Sequence, residues 1–156
     1  MLVFVGKGQI AAYTAKATSI VPEPLFLGEK PNVDDYYILA DFVVNVSGGA
    51  GVSNSLLETL NHGVPVICWD RLTFTQVVSH GINGLICPQD DINALSKAFS
   101  EAFQGKRKFD PEQIRATVHY FSWDRISQAW IDLINGREPR GIEKPKTRNC
   151  RRTINT

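Results

Sequence analysis

Apolar positions along this chain come in two forms, short unbroken runs and longer stretches at helical spacing, and the two forms alternate. Leu2 to Val5 is the first run and ends at Gly6-Lys7-Gly8; a helical stretch follows over Ile10 to Ala17. Pro24-Leu25-Phe26-Leu27-Gly28 predicts a second strand closed by a glycine. Asn32 is placed to cap a short helix carrying Val33, Tyr36, Tyr37 and Leu39. Asp41 to Val46 predicts a third strand without polar alternation, the pattern of a strand covered on both faces. A Gly/Ser-rich loop, Ser47 to Ser53, leads into a helix through Leu56, Leu57 and Leu60. Gly63 ends that helix, with Pro65 two residues beyond.

Val64 to Cys68 and Gly84 to Cys87 predict the fourth and fifth strands, and three helices follow. Asp90 or Asp91 caps the first, which carries Ile92, Leu95, Phe99, Ala102 and Phe103 at helical spacing. Asp110-Pro111-Glu112-Gln113 opens the second as a capping box with proline at the first helical position. Ser122 caps the third, with Ile126, Ala129, Trp130 and Leu133, and Gly136 stops it. Strands alternating with helices at these spacings imply an α/β fold, a Rossmann-like parallel sheet with helices on both faces and right-handed crossovers. The expected organisation is one domain over 1–136 and a tail over 137–156.

Composition changes this picture little: 43% hydrophobic and 21% charged residues are ordinary for a globular domain. No apolar run is long enough to span a bilayer, and the N-terminus lacks a basic region followed by an apolar stretch. The expected location is the cytoplasm. The net charge of +1 hides an asymmetry, because seven of the 17 basic residues but only two of the 16 acidic ones fall after Gly136. With Pro139, Gly141 and Pro145 among them, that tail is expected to be disordered. It offers a contact to anionic lipid at the inner membrane face; a plain solvated terminus is the preferred reading, and no nucleic-acid partner is expected. Cys68, Cys87 and Cys150 match no metal-ligand spacing, and no metal is expected. Buried inert thiols explain the first two.

Two glycine loops follow strands and so stand where open parallel sheets bind ligands. Gly6-Lys7-Gly8-Gln9-Ile10-Ala11 is a G-x-G-x-x-A string, with Glu29 near the place of a ribose-binding acid in an NAD site. Ser47-Gly48-Gly49-Ala50-Gly51-Val52-Ser53-Asn54-Ser55-Leu56 is the stronger candidate. Its glycines let the backbone approach a ligand, and the first-turn N–H groups of the next helix hold a diphosphate without a basic side chain. Ser53 or Ser55 is placed to cap that helix. Glu58 has two equal readings on spacing alone: a ribose-diol acceptor, or the far member of a Ser55-x-x-Glu58 capping box. Arg71 follows the fourth strand, where it can face a ligand. His62, His80 and His119 have no triad spacing and read as structural; Trp123 and Trp130, at i and i+7, read as core.

These landmarks, in this order, resemble the group 1 (retaining, GT-B fold) glycosyltransferases. The likeness rests on Val5 to Gly8, Phe26-Leu27-Gly28, Tyr37 to Asp41, the run from Val46 through Leu60, Gly63-Val64-Pro65-Val66-Ile67, His80 to Leu85, and Phe121-Ser122-Trp123-Asp124. The resemblance implies the C-terminal, nucleotide-sugar-binding domain of such an enzyme. In it Phe26 to Gly28 flank the base and Glu58 binds the ribose. Amides near Asn54, Ser55 and Leu56 hold the diphosphate, and Gly51 and its neighbours approach the sugar. The glycine turn at Gly6 and Gly8 belongs to the same donor site. The implied reaction is transfer of a glycosyl unit from a nucleotide sugar, as substrate, to an acceptor hydroxyl with retention and without a cofactor, as in polysaccharide biosynthesis.

Two departures qualify that implication. Ala50 stands where the family's Glu-x7-Glu motif has its first glutamate, which contacts the donor sugar. The chain also starts at what resembles the second strand of the donor domain, so the first strand and the acceptor-binding domain are expected to be lacking. Three readings follow: a donor-binding domain that needs an acceptor-binding partner, a non-catalytic nucleotide-sugar-binding or scaffold protein descended from it, and an NAD-binding oxidoreductase domain. An open sheet edge predicts a homodimer or a partner complex.

Overall fold

The computed structural model describes residues 1–8, 23–46 and 51–139. They fall into two compact units that divide between Leu39 and Ala40. The helix expected over Ile10 to Ala17, the loop residues Ser47 to Ala50 and the tail from Arg140 onward lie outside the described residues.

The first unit holds strands β1 (Val3–Phe4) and β2 (Leu25–Phe26) and helix α1 (Asp34–Leu39). β1 and β2 pair in parallel, Val3 beside Leu25 and Phe4 beside Phe26, and the two phenylalanine rings stack with centroids 4.7 Å apart. Asn32 acts as anticipated: its Oδ1 accepts from the Asp34 N–H at 3.1 Å, satisfying a donor the helix cannot use internally.

The second unit is built on a parallel sheet of β3 (Val43–Asn45), β4 (Val66–Trp69) and β5 (Gly84–Cys87), in that order. Between β3 and β4 runs α2 (Asn54–Asn61), and a one-turn α3 (Leu72–Thr75) follows β4. After β5 come α4 (Ile92–Phe103), α5 (Pro111–Val118), a 3-10 turn at His119–Phe121 and α6 (Trp123–Ile134). β4 is wholly buried, as the central strand of a covered sheet must be. α2 and α4 pack on the strands and α5 packs on α2. Leu56 and Leu60 from α2, Ile67 and Cys68 from β4, Leu85 from β5, Ala98 from α4 and Ile114 from α5 meet in one core.

The local chemistry explains why these elements stop and start where they do. α2 ends in a Schellman arrangement, with Gly63 N–H donating to Leu60 O at 3.0 Å and Val64 N–H to Thr59 O at 3.2 Å. Gly63 has φ +77°, and a Cβ there would also run into the Arg115 guanidinium, which donates to the His62 carbonyl at 3.0 Å. Asp91 caps α4 by accepting from Ala94 N–H at 2.9 Å. Asp110 caps α5 by accepting from Glu112 N–H at 3.0 Å, with Pro111 at the first helical position; the capping box expected there is not closed, since Gln113 returns no bond to the Asp110 N–H among the described residues. At Gly84 a side chain has no room, since a Cβ would strike the Val66 carbonyl of the neighbouring strand. Ser122 does sit at the cap of α6, yet its side chain makes no capping bond, a correction to the expectation from sequence. α6 brings a larger one. Trp123 and Trp130 are not core residues, being 81% and 62% exposed, because the helix turns Ala129 and Asp132 inward instead.

Cys68 and Cys87 are free, buried thiols. Burial pushes the Cys68 thiol up to about 12, and the nearby Cys87 and Asp70 charges add to the effect. Cys87 is raised too, first by burial and then by Asp91 and Glu101. With so little thiolate at neutral pH, neither residue is expected to react with iodoacetamide in the folded chain, whereas both should react in denaturant; peptide mapping distinguishes the two. The folded-state value lies above the ordinary 9.0 for Cys68, so its thiol form contributes stability below about pH 9, and that contribution is lost as pH rises towards 12.

Candidate nucleotide-sugar site

The ligand-facing rim of the second unit is the carboxyl edge of its sheet, marked by Asn45, Trp69 and Cys87 at the ends of the three strands. Asn45 is nearly buried and donates from Nδ2 to Ser55 Oγ at 3.3 Å, which ties the start of α2 to the end of β3. Leu56, Thr59 and Leu60 form the buried face of α2. That anchoring turns Asn54, Ser55 and Glu58 outward, and all three are exposed.

Ser53 occupies the cap position with φ −72° and ψ 132°, but its side chain bonds no helix amide. Its Oγ lies 2.6 Å from Ser55 Oγ instead, so the expected capping by either serine is not made. Leu56 and Leu57 N–H both reach Ser53 O, at 3.1 and 3.3 Å. The amides of Asn54 and Ser55 have no acceptor among the described residues. Two donors at the positive end of a helix are thus left for an acceptor other than the described residues, and an anion is the acceptor such a helix end favours.

Glu58 stands at i+4 from Asn54, on the same helical face. Helical side chains as a rule lean towards the N-terminus, the direction in which those amides lie. The capping-box alternative does not form, because Ser55 lies inside the helix, second after the cap. The backbone carbonyl of Glu58 is engaged by His62, from its N–H at 3.0 Å and from Nδ1 at 2.8 Å.

Arg71 follows β4 at the same edge of the sheet. Its Nε is buried and finds no hydrogen-bond partner among the described residues, so one donor of a permanent cation is left unsatisfied there. Sequence reasoning picked out Arg71 but overlooked Asn45; the usable signal was a polar residue closing an otherwise apolar strand. Gly51 and Val52 lead into the cap, Gly51 exposed and Val52 half-buried. Ser47, Gly48, Gly49 and Ala50 lie outside the described residues.

In the first unit the predicted residues gather around one turn. Gly6 N–H donates to Gly28 O at 2.8 Å and Leu27 N–H to Phe4 O at 2.9 Å, while Phe26 stacks on Phe4. Gly8 is exposed. Glu29, the acid considered for a dinucleotide ribose, forms an exposed ion pair with Lys7 at 3.0 Å.

Parallel strands followed by helices define a Rossmann-like domain, and two helix amides at its carboxyl rim find no acceptor among the described residues. Residues 1–104 match the model of the family described as "Glycosyl transferases group 1". The chain belongs to that family. It is 35% identical over 85 residues to the lipopolysaccharide core biosynthesis mannosyltransferase LpsB of Rhizobium meliloti (strain 1021), a match covering 53% of this chain and 24% of LpsB. Its fold is similar to Anabaena HepE solved with UDP, at TM-score 0.74 and 16% identity, with 86% of this chain and 40% of HepE covered. It is also similar to the lipopolysaccharide outer core galactosyltransferase WaaB in its apo form, at TM-score 0.72, 18% identity and the same coverage. The chain thus spans about a quarter of the matched relative and 40% of the solved chains. Family membership displaces the dehydrogenase reading. Among the described residues no helix is long and apolar enough to cross a membrane.

Proposed function

We propose that this chain holds a nucleoside diphosphate sugar as the donor half of a glycosyl transferase. The diphosphate sits on the Asn54 and Ser55 amides, Glu58 accepts from the ribose diol, and the Arg71 guanidinium supports the phosphates from the end of β4. The observation that carries the proposal is the start of α2, where no side chain caps the helix and the Asn54 and Ser55 amides find no acceptor among the described residues. The relatives support the choice of ligand: LpsB is a mannosyltransferase, and HepE has been solved with UDP and with UDP-glucose. Transfer to an acceptor hydroxyl, with retention, would require an acceptor-binding half in addition. Ala50 favours a second reading, binding without transfer, since the family's first motif glutamate is replaced.

Thermal unfolding with UDP, GDP, ADP, UDP-glucose and NAD tests the donor site. A true ligand at about a hundred times its dissociation constant should stabilise the fold by about 2.7 kcal/mol, an upward shift of roughly 8 °C. No shift with any diphosphate, or a shift with NAD alone, would sink the assignment. Glycosyl transfer assayed with an acceptor-binding partner, before and after Ala50→Glu, separates the two readings. Transfer that stays at zero in both chains favours binding alone.

A further inference from the structure

Asn45 closes a strand whose other two residues are valines. At 8% exposed it is an amide in a nearly dry place, where a polar group needs partners. Its Nδ2 donates to Ser55 Oγ at 3.3 Å. Ser55 Oγ in turn lies 2.6 Å from Ser53 Oγ, the length of a short bond between hydroxyls. Three polar groups, one ending β3 and two at the start of α2, thus form a single chain.

The protons along that chain can be counted. Two hydroxyls carry two protons, and only one of these lies between the two oxygens. Ser55 Oγ already accepts from Asn45, and an oxygen that accepts becomes the better donor, so the cooperative order runs from Asn45 to Ser55 to Ser53. That order leaves the Ser53 hydroxyl with a proton that has no acceptor among the described residues. It also explains the missing cap, because the Ser53 oxygen that would accept from a helix amide accepts from Ser55 instead.

We propose that Asn45 is a positioning residue of the donor site: acting through the Ser55 hydroxyl, it sets the Ser53 hydroxyl as a third donor to the diphosphate, beside the Asn54 and Ser55 amides. This role rests on the donor-site reading above and deepens it. The helix start does not carry it alone, since Arg71, after the adjacent strand β4, brings a buried Nε that finds no partner among the described residues. A diphosphate has more acceptor oxygens than two amides can serve, so a hydroxyl on the same turn adds to them. Asn45 contributes direction and not contact. Without it the Ser53 oxygen is released to cap α2 and to compete with the ligand for the helix amides.

Calorimetric titration of the whole chain with UDP, and with GDP and ADP alongside, tests the relay. Ser53→Ala should weaken diphosphate binding about tenfold, and Ser53→Thr, which returns the hydroxyl, should recover it to within about twofold. Asn45→Val, which ends β3 as it begins, should weaken binding by a similar factor. Combined with Ser53→Ala it should cost no more than either change alone, because both break one chain. Ser55→Ala breaks the same chain from an exposed position and keeps its main-chain N–H, so it should reproduce the loss and serves in place of Asn45→Val if that variant does not fold. Thermal midpoints identify the folded variants. Undiminished affinity in Ser53→Ala or Ser55→Ala overturns the relay and leaves the donor-site reading standing. So do additive losses in the double variant, or a loss that Ser53→Thr does not recover. A parent chain that binds none of the three nucleoside diphosphates overturns the donor-site reading, and the relay with it.

Discussion

Replacing Asn83 by alanine is expected to cost the fold about 3–5 kcal/mol, the largest stability loss of any substitution proposed for this chain. Asn83 is fully buried just before β5, and its side chain makes three hydrogen bonds. Nδ2 donates to Val77 O at 3.0 Å and to Thr117 Oγ1 at 2.8 Å, while Oδ1 accepts from Ser79 N–H at 2.7 Å. Thr117 Oγ1 passes the chain on by donating to Ile114 O at 2.6 Å. One amide thus stitches the loop after α3 to α5. Alanine would leave the Ser79 donor and the Val77 acceptor unpaired in a dry interior, each costing about 1–3 kcal/mol, and would open a small void besides. A domain of this size is stable by only about 5–15 kcal/mol. Asn83→Asp is a sharper comparison, because it keeps the size and the acceptor for Ser79 but removes both donors. It should be no better than alanine at neutral pH, where it buries an uncompensated charge. Urea unfolding measures both. An alanine variant within about 1 kcal/mol of the parent would show that the network contributes little.

Asn83 also shows what kind of information the sequence carried. His80 to Leu85 was readable as a turn landmark, and Gly84–Cys87 as a strand, because glycine and an apolar run are local signals. That Asn83 would be a buried three-way junction was not readable, since Thr117 lies 34 residues away. The same division holds elsewhere. Asp91, Asp110 with Pro111, and the glycine stop at Gly63 were found correctly, for each involves partners within a turn or two. Serine at a cap position misled twice. Ser53 and Ser122 both stand where a cap should, but neither side chain bonds a helix amide. α6 failed in an instructive way. Periodicity announces that a helix has an apolar face, yet it does not say what covers that face, and Trp123 and Trp130 were assigned to a core that the helix does not offer them. At the candidate site, the start of the helix was legible from the spacing of its apolar residues. The contributions of Asn45 and of the buried Arg71 Nε depend on strands meeting in space, which no local pattern encodes.

Asn54→Pro should leave the fold as stable as before while weakening diphosphate binding at least tenfold, roughly 1.4 kcal/mol. Proline is normally destructive in a helix, but Asn54 is the first helical residue, where the N–H has no intrahelical acceptor and the proline φ is already that of the helix. The residue before a proline must be extended, and Ser53 is, with φ −72° and ψ 132°. The substitution therefore deletes one main-chain donor, strains nothing and reduces the freedom of the unfolded chain. Hydrogen bonds to a charged acceptor contribute about 1.5–3 kcal/mol, so losing the one aimed at a phosphate is measurable. Asn54→Ala separates amide from side chain, because it keeps the N–H and should bind nearly as well as the parent. Calorimetric titration with whichever nucleoside diphosphate stabilises the parent, read beside the thermal midpoints, decides the matter. A proline variant that binds with undiminished affinity would place the diphosphate elsewhere. Equal losses in the proline and alanine variants would assign the contact to the asparagine side chain, and the helix start would then no longer explain anion binding.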